Sequence, residues 1–381
     1  MIILLLLGIF LVSTLWELYY KSQWSKDIAV ELWFDNDAVY AGQETKLYEM
    51  IENRKGMAVP VLEVGFHTQK ELDFTDIENT NVSDYIYKRD IFSVLGRQKI
   101  TREIPVKCTK RGKYEVSDAD ITTYTLLYRK HYSKGIGTSA GIYVYPKMTD
   151  VSEIMNACER MIGTQQCAKR LYEDPFAFRT IRSYTTDDPM KTINWKASAK
   201  TGALMVNTFD SVQSQKAMIF LDVEDTGILK YEDLVEESIA MAATIIRKLL
   251  RQNMEVGFVY NGKNGTKADT LLMPTNRKSV LISLERTLAQ YKKENGIEDF
   301  GKLLHRCFAE RFLTKPISED TVLIVITKNL NDQLMEQIEE CTGAYQVLIV
   351  MPVFRGDKKS SEYSAKSRKN IRVLVKEVER T

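Results

Sequence analysis

Histidine and cysteine, the side chains most often used in catalysis and zinc binding, are few and widely spaced in this chain. The three histidines are His67, His131 and His305. The five cysteines are Cys108, Cys158, Cys167, Cys307 and Cys341. Because zinc sites and disulfide frameworks need short, repeated Cys or His spacings, neither is predicted. The scattered cysteines indicate reduced thiols in a cytosolic setting, and the sparse histidines leave little material for a catalytic triad.

An acidic residue stands where a buried strand would end. Residues 216–221 form a short apolar run, and Asp222 follows it directly. In sheets of parallel strands, ligands bind outside the carboxyl ends of the strands. Asp222 is therefore a candidate functional residue, and the surrounding elements decide what it can do.

Length and charge limit the class of protein. A chain of 381 residues can support two domains, each with its own core. Lys and Arg together number 53 and Asp and Glu number 51, which leaves a formal net charge of +2. Because nucleic-acid-binding proteins usually show a clear basic excess, nucleic acid is excluded as a partner.

The N-terminal segment is strongly apolar. Residues 1–16 carry no charged side chain, and Glu17 is the sole charge before Tyr20. This length is typical of a transmembrane helix. The aromatic residues at its end resemble an interfacial belt, namely Trp16, Tyr19, Tyr20 and Trp24. A cleaved signal peptide is the alternative, but the basic start that it needs is absent. The sequence thus predicts a single-pass anchor in the cell membrane over residues 1–24. Lys21 and Lys26 place the body in the cytoplasm.

Residues 28–148 have the pattern of a β-rich domain. Short alternating runs, separated by turn residues, occur at 30–34, 46–51, 59–66, 85–94 and 101–106. Several short strands at this spacing predict an antiparallel, β-sandwich-like domain.

Residues 211–381 change to an α/β pattern. Apolar strand-type runs occur at 216–222, 255–260, 321–327, 346–353 and 371–378, with a possible edge strand at 270–273. Helical periodicity occurs at 234–252, 279–292, 299–313 and 330–341. This alternation predicts a mostly parallel sheet covered on both faces, with residues 149–210 as a connecting segment. The predicted fold class is therefore multidomain, β and α/β, after an N-terminal transmembrane helix.

The connecting segment carries an ordered set of short motifs. They are Arg182-Ser183-Tyr184, Asp187-Asp188, Ile193-Asn194-Trp195-Lys196 and Ser198-Ala199, preceded upstream by Arg111-Gly112-Lys113-Tyr114 and Tyr143-Val144-Tyr145-Pro146. The set resembles the signature of the domain-of-unknown-function 58 family over nearly the whole chain. Asp187 departs from the glycine usual in the family, and Lys191 departs from the usual arginine. The resemblance implies that residues 211–381 have a von Willebrand factor A-like fold.

The signature residues have two possible roles. In the first, they dock a partner, with Arg182, Trp195 and Lys196 as residue types common at binding hot spots. In the second, Trp195 and Tyr184 fill the core while Arg182 pairs with Asp188. Asn194 and Ser198 complete the set, and Ser198 has no base beside it that would make it a nucleophile.

The resemblance also implies a metal site. Von Willebrand factor A domains often bind Mg²⁺ through a D-x-S-x-S motif after the first strand. Here Asp222 matches and Thr226 supplies a hydroxyl, but Glu224 replaces the first serine. After a later strand, Lys328 stands near the position of an expected acid and would repel a cation. Either Asp222, Glu224 and Asp225 bind a cation in a different geometry, or the site is a degenerate relic of the fold. No other cofactor is expected.

The expected function follows from the family. Its members are commonly found beside MoxR-type AAA ATPases, so the resemblance implies a bacterial, membrane-anchored, non-enzymatic scaffold or adaptor. Such a protein would help the ATPase to assemble or mature protein complexes. The alternative is a cell-surface adhesion or ligand-binding protein that uses the A-like domain. A hydrolase is a third hypothesis, but the sequence has no phosphate loop, triad or metal cluster typical of one.

Overall fold

The computed structural model describes residues 2–74, 80–82, 85–125, 130–169, 178–186, 188, 190–209, 215–225, 231–263, 271–312, 316–343, 345–357, 363, 366–368 and 370–380. The chain forms two compact units. The first comprises residues 1–148 together with Ile282–Tyr291, and the second comprises the remaining residues, 149–281 and 292–381.

The first helix, α1 (Ile2–Gln23), is fixed to the first unit at its C-terminal end. Tyr20 and Trp24 are buried there, at 6% and 4% exposure. The Tyr20 hydroxyl lies 2.9 Å from Thr123 Oγ1, and the Glu17 carboxylate lies 3.1 Å from the Lys130 ammonium. The end of α1 is therefore part of a protein core.

The predicted transmembrane helix over residues 1–24 is wrong. Among the described residues, no helix has both the length and the apolar character needed to cross a membrane. The apolar part of α1 ends near Trp16, so about 15 residues remain, which span roughly 22 Å against a hydrocarbon core of about 30 Å. Tyr20 and Trp24, expected at a membrane interface, are buried in the first unit instead.

The first unit contains many strands in two sheets. In chain order they are β1 (Ile28–Phe34), β2 (Ala38–Tyr40), β3 (Glu44–Asn53), β4 (Val59–Gln69), β5 (Leu72–Phe74), β6 (Thr80–Val82), β7 (Tyr85–Val94), β8 (Lys99–Cys108), β9 (Gly112–Tyr124), β10 (His131–Gly135) and β11 (Ala140–Tyr145). One sheet has the order β1-β3-β8-β5 and the other β2-β11-β9-β4-β7-β6, with β10 paired to β9. The described pairings are antiparallel except for β2 with β11.

Alternating side chains from the two sheets meet in two apolar clusters. Leu47 of β3 packs with Phe66 of β4 in one cluster, and Ile51 of β3 packs with Val64 of β4 in the other. Because successive residues of a strand point to opposite faces, each pair occupies the inward face of its sheet. The two sheets therefore share one interior with two apolar parts.

A layer of charged side chains separates these parts. Glu49, which lies between the two cluster residues of β3, is opposite Arg102 of β8 in the strand register. Lys88 and Asp90 of β7 are 1% and 2% exposed, and Arg102 donates to Asp90 across 2.7 Å. Since β8 and β7 belong to different sheets, this hydrogen bond joins the sheets through their interior.

The second unit is built on a six-stranded sheet. In chain order its strands are β14 (Lys216–Leu221), β15 (Glu255–Tyr260), β16 (Leu272–Thr275), β17 (Val322–Ile326), β18 (Val347–Phe354) and β19 (Ile371–Val378), after the hairpin strands β12 (Phe178–Ser183) and β13 (Met205–Phe209). The order is β16-β15-β14-β17-β18-β19, with β16 antiparallel and the other pairings parallel. The interiors of the central strands β14 and β17 are buried, as expected for parallel strands covered on both faces.

The helices after α1 are α2 (Ser152–Lys169), α3 (Trp195–Thr201), α4 (Glu232–Arg251), α5 (Lys278–Gln290), α6 (Phe300–Arg306) and α7 (Asp332–Thr342). A π-helical turn over Cys307–Arg311 follows α6. Helix α4 contacts β14 and β15, while α6 and α7 share an apolar cluster with β14 and β17. From β14 the chain adds β15 and β16 on one side of the sheet, and then β17, β18 and β19 on the other side. The carboxyl ends of β14 and β17 therefore form a topological switch point, where α/β sheets bind ligands.

The fold class is therefore corrected to a mixed α/β protein with many strands, several of them in antiparallel sheets, and with no membrane-spanning helix among the described residues.

Candidate functional site

The signature residues lie on a small antiparallel hairpin. Strands β12 and β13 pair through Arg182 with Val206 and Ser183 with Met205. A 3₁₀ turn (Met190–Thr192) and α3 occupy the connection between the strands. Val206 is 2% exposed and forms an isolated bridge with Ile193, which brings the start of α3 back onto the hairpin.

Arg182 and Asp188 form a two-pronged ion pair. Arg182 Nη1 lies 2.7 Å from Asp188 Oδ2, and Nη2 lies 2.6 Å from Oδ1. The backbone N–H and the hydroxyl of Thr185 also donate to Asp188. The guanidinium first, and then the Thr185 donors, hold the pKa of Asp188 well below its usual range. This pair fixes the turn before α3, as the second interpretation of the signature expected.

Asn194 and Ser198 hold α3 in place. Asn194 is the N-cap of α3, since its Oδ1 accepts from the Ala197 N–H at 3.0 Å, and its Nδ2 donates to Asn207 Oδ1 at 2.7 Å. Ser198 donates to the Asn194 carbonyl and accepts from the Met205 N–H, both at 2.8 Å. The Ser198 hydroxyl therefore has a structural role in joining α3 to β13.

Trp195 does not fill a core. Its side chain is 65% exposed on the first turn of α3, and Lys196 beside it is exposed as well. Tyr184 is half-buried. The interpretation that placed Trp195 in the core is therefore wrong for this residue. The same hairpin exposes further large apolar side chains, namely Ile181, Met190 and Leu204.

At the switch point, Asp222 is surrounded by hydrogen-bond donors. It follows β14 and is 2% exposed. Its four donors are the Glu224 N–H (2.9 Å) and Asn261 Nδ2 (2.8 Å) on Oδ1, and Thr327 Oγ1 (2.7 Å) and Asn329 Nδ2 (3.0 Å) on Oδ2. Burial raises the pKa of Asp222, and the four hydrogen bonds act in the opposite direction. A carboxylate has about four lone-pair positions, so these donors fill them.

Asp225 is held by lysines. Lys328 Nζ lies 2.8 Å from Asp225 Oδ1, with the Lys328 side chain only 5% exposed, and Lys293 Nζ lies 3.1 Å from Oδ2. Burial acts to raise the pKa of Asp225, but the hydrogen bonds from Lys328, the Tyr231 N–H and Lys293 lower it to about 2. Asp225 is therefore ionised at neutral pH.

These residues do not fit a Mg²⁺ site. Asp222 has its acceptor positions filled by protein donors, and a buried ammonium lies against Asp225. Glu224 is half-buried, with a pKa raised first by burial and then by Asp222 and Asp299. Thr226 lies outside the described residues. Within the described part of the chain, no group of three or more His, Cys, Asp or Glu side chains could hold a metal ion.

Asn261 is a further residue at this edge of the sheet, and it was not among the site residues predicted from the sequence. It follows β15 and is 1% exposed; it donates to Asp222 and accepts from the Val223 N–H at 2.8 Å. A signal existed, because Asn261 is the first polar residue after the apolar run 255–260, in the same position relative to its strand as Asp222.

The family comparison covers both regions. Residues 180–358 match the family model described as Protein of unknown function DUF58. The match includes most of the signature hairpin and all the residues of the switch point, and covers somewhat less than half of the chain. No curated protein matches the chain.

Three solved structures illustrate distant similarities. The CARDB domain of a Pyrococcus furiosus protein, in complex with di-metal ions, is 13% identical, and the match covers 31% of this chain and 94% of that domain with a TM-score of 0.21. A non-cellulosomal cohesin of Archaeoglobus fulgidus is 9% identical over 34% of this chain and 96% of its own, with a TM-score of 0.21. A GH20 exo-β-N-acetylglucosaminidase of Vibrio harveyi is 7% identical over 86% and 82% of the two chains, with a TM-score of 0.24. At such TM-scores these similarities carry no argument.

Proposed function

We propose that this chain is a non-enzymatic adaptor that binds a partner protein through α3. The observation that carries the proposal is the exposed Trp195 at the start of α3. A large aromatic side chain left in water on an ordered element is a common feature of binding hot spots, where Trp, Tyr and Arg are enriched. The exposed Ile181, Met190 and Leu204 of the same hairpin add apolar surface for a partner.

The construction of the hairpin supports this role. The Arg182–Asp188 pair, the Asn194 cap and the Ser198 hydrogen bonds fix α3 without using Trp195 or Lys196. A side chain held on a rigid element loses less conformational entropy on binding than one on a loose segment. The neighbouring lysines, Lys191, Lys196 and Lys200, are exposed, so a partner with acidic residues around an apolar pocket fits this surface.

The partner that we propose is a MoxR-type AAA ATPase. Support comes from the family match over residues 180–358, since the resemblance of the signature implies this association. In this proposal the chain supplies a docking surface and the ATPase supplies the chemistry. The Ser198 hydroxyl, already used twice in hydrogen bonds, supports a role without catalysis.

A cytoplasmic location of the body is part of the same proposal, because the ATPase needs ATP. Two buried cysteines support it: Cys108 and Cys158 form no disulfide bond within the described part of the chain. Burial raises the pKa of Cys108 to about 11, and that of Cys158 to about 12, so both stay protonated and unreactive. A cysteine introduced at the exposed Lys134 would be labelled by an impermeant reagent only after permeabilisation; labelling in intact cells would favour the adhesion alternative.

Binding to the ATPase tests the adaptor role directly. The full chain and the MoxR-type ATPase of the same genome are mixed with ADP, with a non-hydrolysable ATP analogue or without nucleotide, and the dissociation constant is measured. We expect Trp195→Ala to weaken binding by about 30-fold or more, which corresponds to the loss of one hot-spot side chain. Lys196→Glu should weaken binding and reduce its salt dependence.

Matched controls separate binding from folding. Leu95→Ala removes an equally exposed apolar side chain (62%) from the first unit, and Lys134→Glu reverses an exposed lysine there. Both should leave binding unchanged, and all four variants should keep the melting temperature of the parent chain. The proposal fails if the parent chain binds the ATPase in no nucleotide state, or if Trp195→Ala binds as well as the parent.

A further inference from the structure

The switch point carries its own positive charge. Two lysine ammonium groups face Asp225, one on each carboxylate oxygen, and Lys328 is buried while Lys293 is half-exposed. Together they supply the same charge as one divalent cation. They are attached to different elements, since Lys328 follows β17 and Lys293 belongs to a 3₁₀ turn after α5.

Lys328 lies among the oxygen atoms that would otherwise attract a cation. Its Nζ is 2.8 Å from Asp225 Oδ1 and 3.3 Å from Asn329 Oδ1. The neighbouring Asn329 donates to Asp222 at 3.0 Å and to the Glu224 carbonyl at 2.7 Å. The consecutive residues 327–329 thus satisfy the acids that follow β14 with a hydroxyl, an ammonium and an amide.

We infer that Lys328 is a built-in replacement for a divalent cation at this edge of the sheet, so that the edge is closed to Mg²⁺ and keeps its shape without metal. Burying an ammonium is costly unless it is paired, and here the pairing with Asp225 offsets that cost. A divalent cation would have to displace Lys328 and at least one donor to Asp222. The inference is independent of the adaptor role, because the contacts described for this network involve no residue of α3 or of the hairpin.

Thermal unfolding of the full chain with and without millimolar Mg²⁺ or Mn²⁺ tests the inference. The parent chain should show no rise in melting temperature with either metal and no fall with a chelator. Lys328→Ser removes the ammonium and leaves an oxygen ligand in its place. This variant should melt at a lower temperature and then gain about 3 °C or more when metal is added. Lys293→Ala, the control, keeps Lys328 and should show no response to metal.

A second measurement decides the case if Lys328→Ser does not fold. Lys328→Met leaves the Asp225 charge buried without its main partner and should be strongly destabilised, whereas adding Asp225→Asn to it should recover most of the loss. Metal stabilisation of the parent chain overturns the inference. A folded Lys328→Ser variant whose melting temperature does not rise with metal also overturns it. If Lys328→Ser is unfolded, the inference is overturned by a double variant, Lys328→Met with Asp225→Asn, that is no more stable than Lys328→Met alone.

Discussion

The carboxylate of Asp222 is buried, and none of the described lysines or arginines lies in hydrogen-bond contact with it. Its stabilisation comes from four dipoles, of which Thr327 Oγ1 gives the shortest hydrogen bond, at 2.7 Å. Thr327 also accepts from the Asn329 N–H at 3.0 Å, so one hydroxyl orients both the acid and the amide that caps it. Hydrogen bonds to charged groups contribute more than neutral ones, and an unsatisfied buried acceptor is costly.

Thr327→Val should therefore destabilise the chain by about 2–3 kcal/mol. The substitution keeps the shape of the side chain but removes its donor and its acceptor from a fully buried position. Urea-induced unfolding, followed by circular dichroism, measures the change.

Thr321→Val is a closely matched control. Thr321 precedes β17 as Thr327 follows it, and both are 0% exposed. Thr321 Oγ1, however, has no hydrogen-bond partner in the described part of the chain. Its replacement should be neutral or stabilising, because a buried hydroxyl without a partner is lost. Equal destabilisation by the two variants would show that the hydrogen bonds of Thr327 contribute little.

Among the elements, those with a regular burial pattern were predictable from the sequence. The apolar runs at 216–222, 321–327 and 371–378 became β14, β17 and β19, and the periodic stretch 234–252 became α4. Each of these elements buries one or both faces in a core, so the spacing of its apolar residues predicts whether it is a strand or a helix. The strand expected at 85–94 is β7 with the same bounds.

The hairpin and the charged layer were not predictable in this way. Helix α3 buries none of its residues, so it has no apolar stripe to detect, and the Asn194 cap is a weak signal by itself. In β7, Lys88 and Asp90 look like solvent-facing residues, yet both are buried. Arg102 of β8 donates to Asp90, and the Lys88 ammonium lies 3.9 Å from the Asp90 carboxylate. The same holds for the switch point, where Asn261 contacts Asp222 only after two distant strands pair.

Gly257 sets the spacing of β15 between its neighbours. A Cβ at this position would collide with Met218 Sδ of β14 and lie 3.0 Å from the Leu272 carbonyl oxygen of β16. Backbone atoms cannot move aside as a flexible side chain can, so the edge strand β16 would shift. Gly257→Ala should cost about 1–3 kcal/mol in the free energy of unfolding.

The matched glycine is Gly141 in β11, where the nearest atoms to a Cβ would be 3.7 Å away. Gly141→Ala should change stability by less than about 0.5 kcal/mol or raise it slightly, since Ala loses less backbone entropy than Gly. Both are measured by urea-induced unfolding. If Gly257→Ala changes the free energy of unfolding as little as Gly141→Ala does, then β16 accommodates the added methyl group.

At the scale of the whole molecule, stability should depend on pH through the charged layer of the first unit. Both carboxylate oxygens of Glu49 are buried and lack a hydrogen-bond partner among the described residues. Burial first, and then the nearby charge of Asp90, raise the pKa of Glu49 to about 8 against the partial opposition of Arg102 and Lys88. Glu285, which clusters with the same unit, has a pKa raised by burial to about 7.

The direction of the pH effect follows from these values. Between about pH 5 and pH 8, unfolded Glu49 has released its proton while folded Glu49 retains it, so the folded state binds more protons. Stability therefore falls as pH rises through this window and levels off above the folded pKa. Asp225 acts in the opposite sense, but its pKa of about 2 confines its effect to acid below about pH 4.

Glu49→Gln should remove much of this decline. The amide keeps the size of the side chain but has no proton to lose, so the variant should gain on the order of a few kcal/mol over the parent at pH 8 and little at pH 5. Any pH dependence of the unfolding free energy that remains in Glu49→Gln is attributed to Glu285. Urea-induced unfolding at pH 5, 6, 7 and 8 measures the difference, with Glu103→Gln as the control, because Glu103 of β8 is exposed and pairs with Lys46. If the free energy of unfolding of Glu49→Gln declines with pH as steeply as that of the parent, then Glu49 is ionised in the folded protein. In that case Lys88 and Arg102 compensate the negative charges of both Glu49 and Asp90.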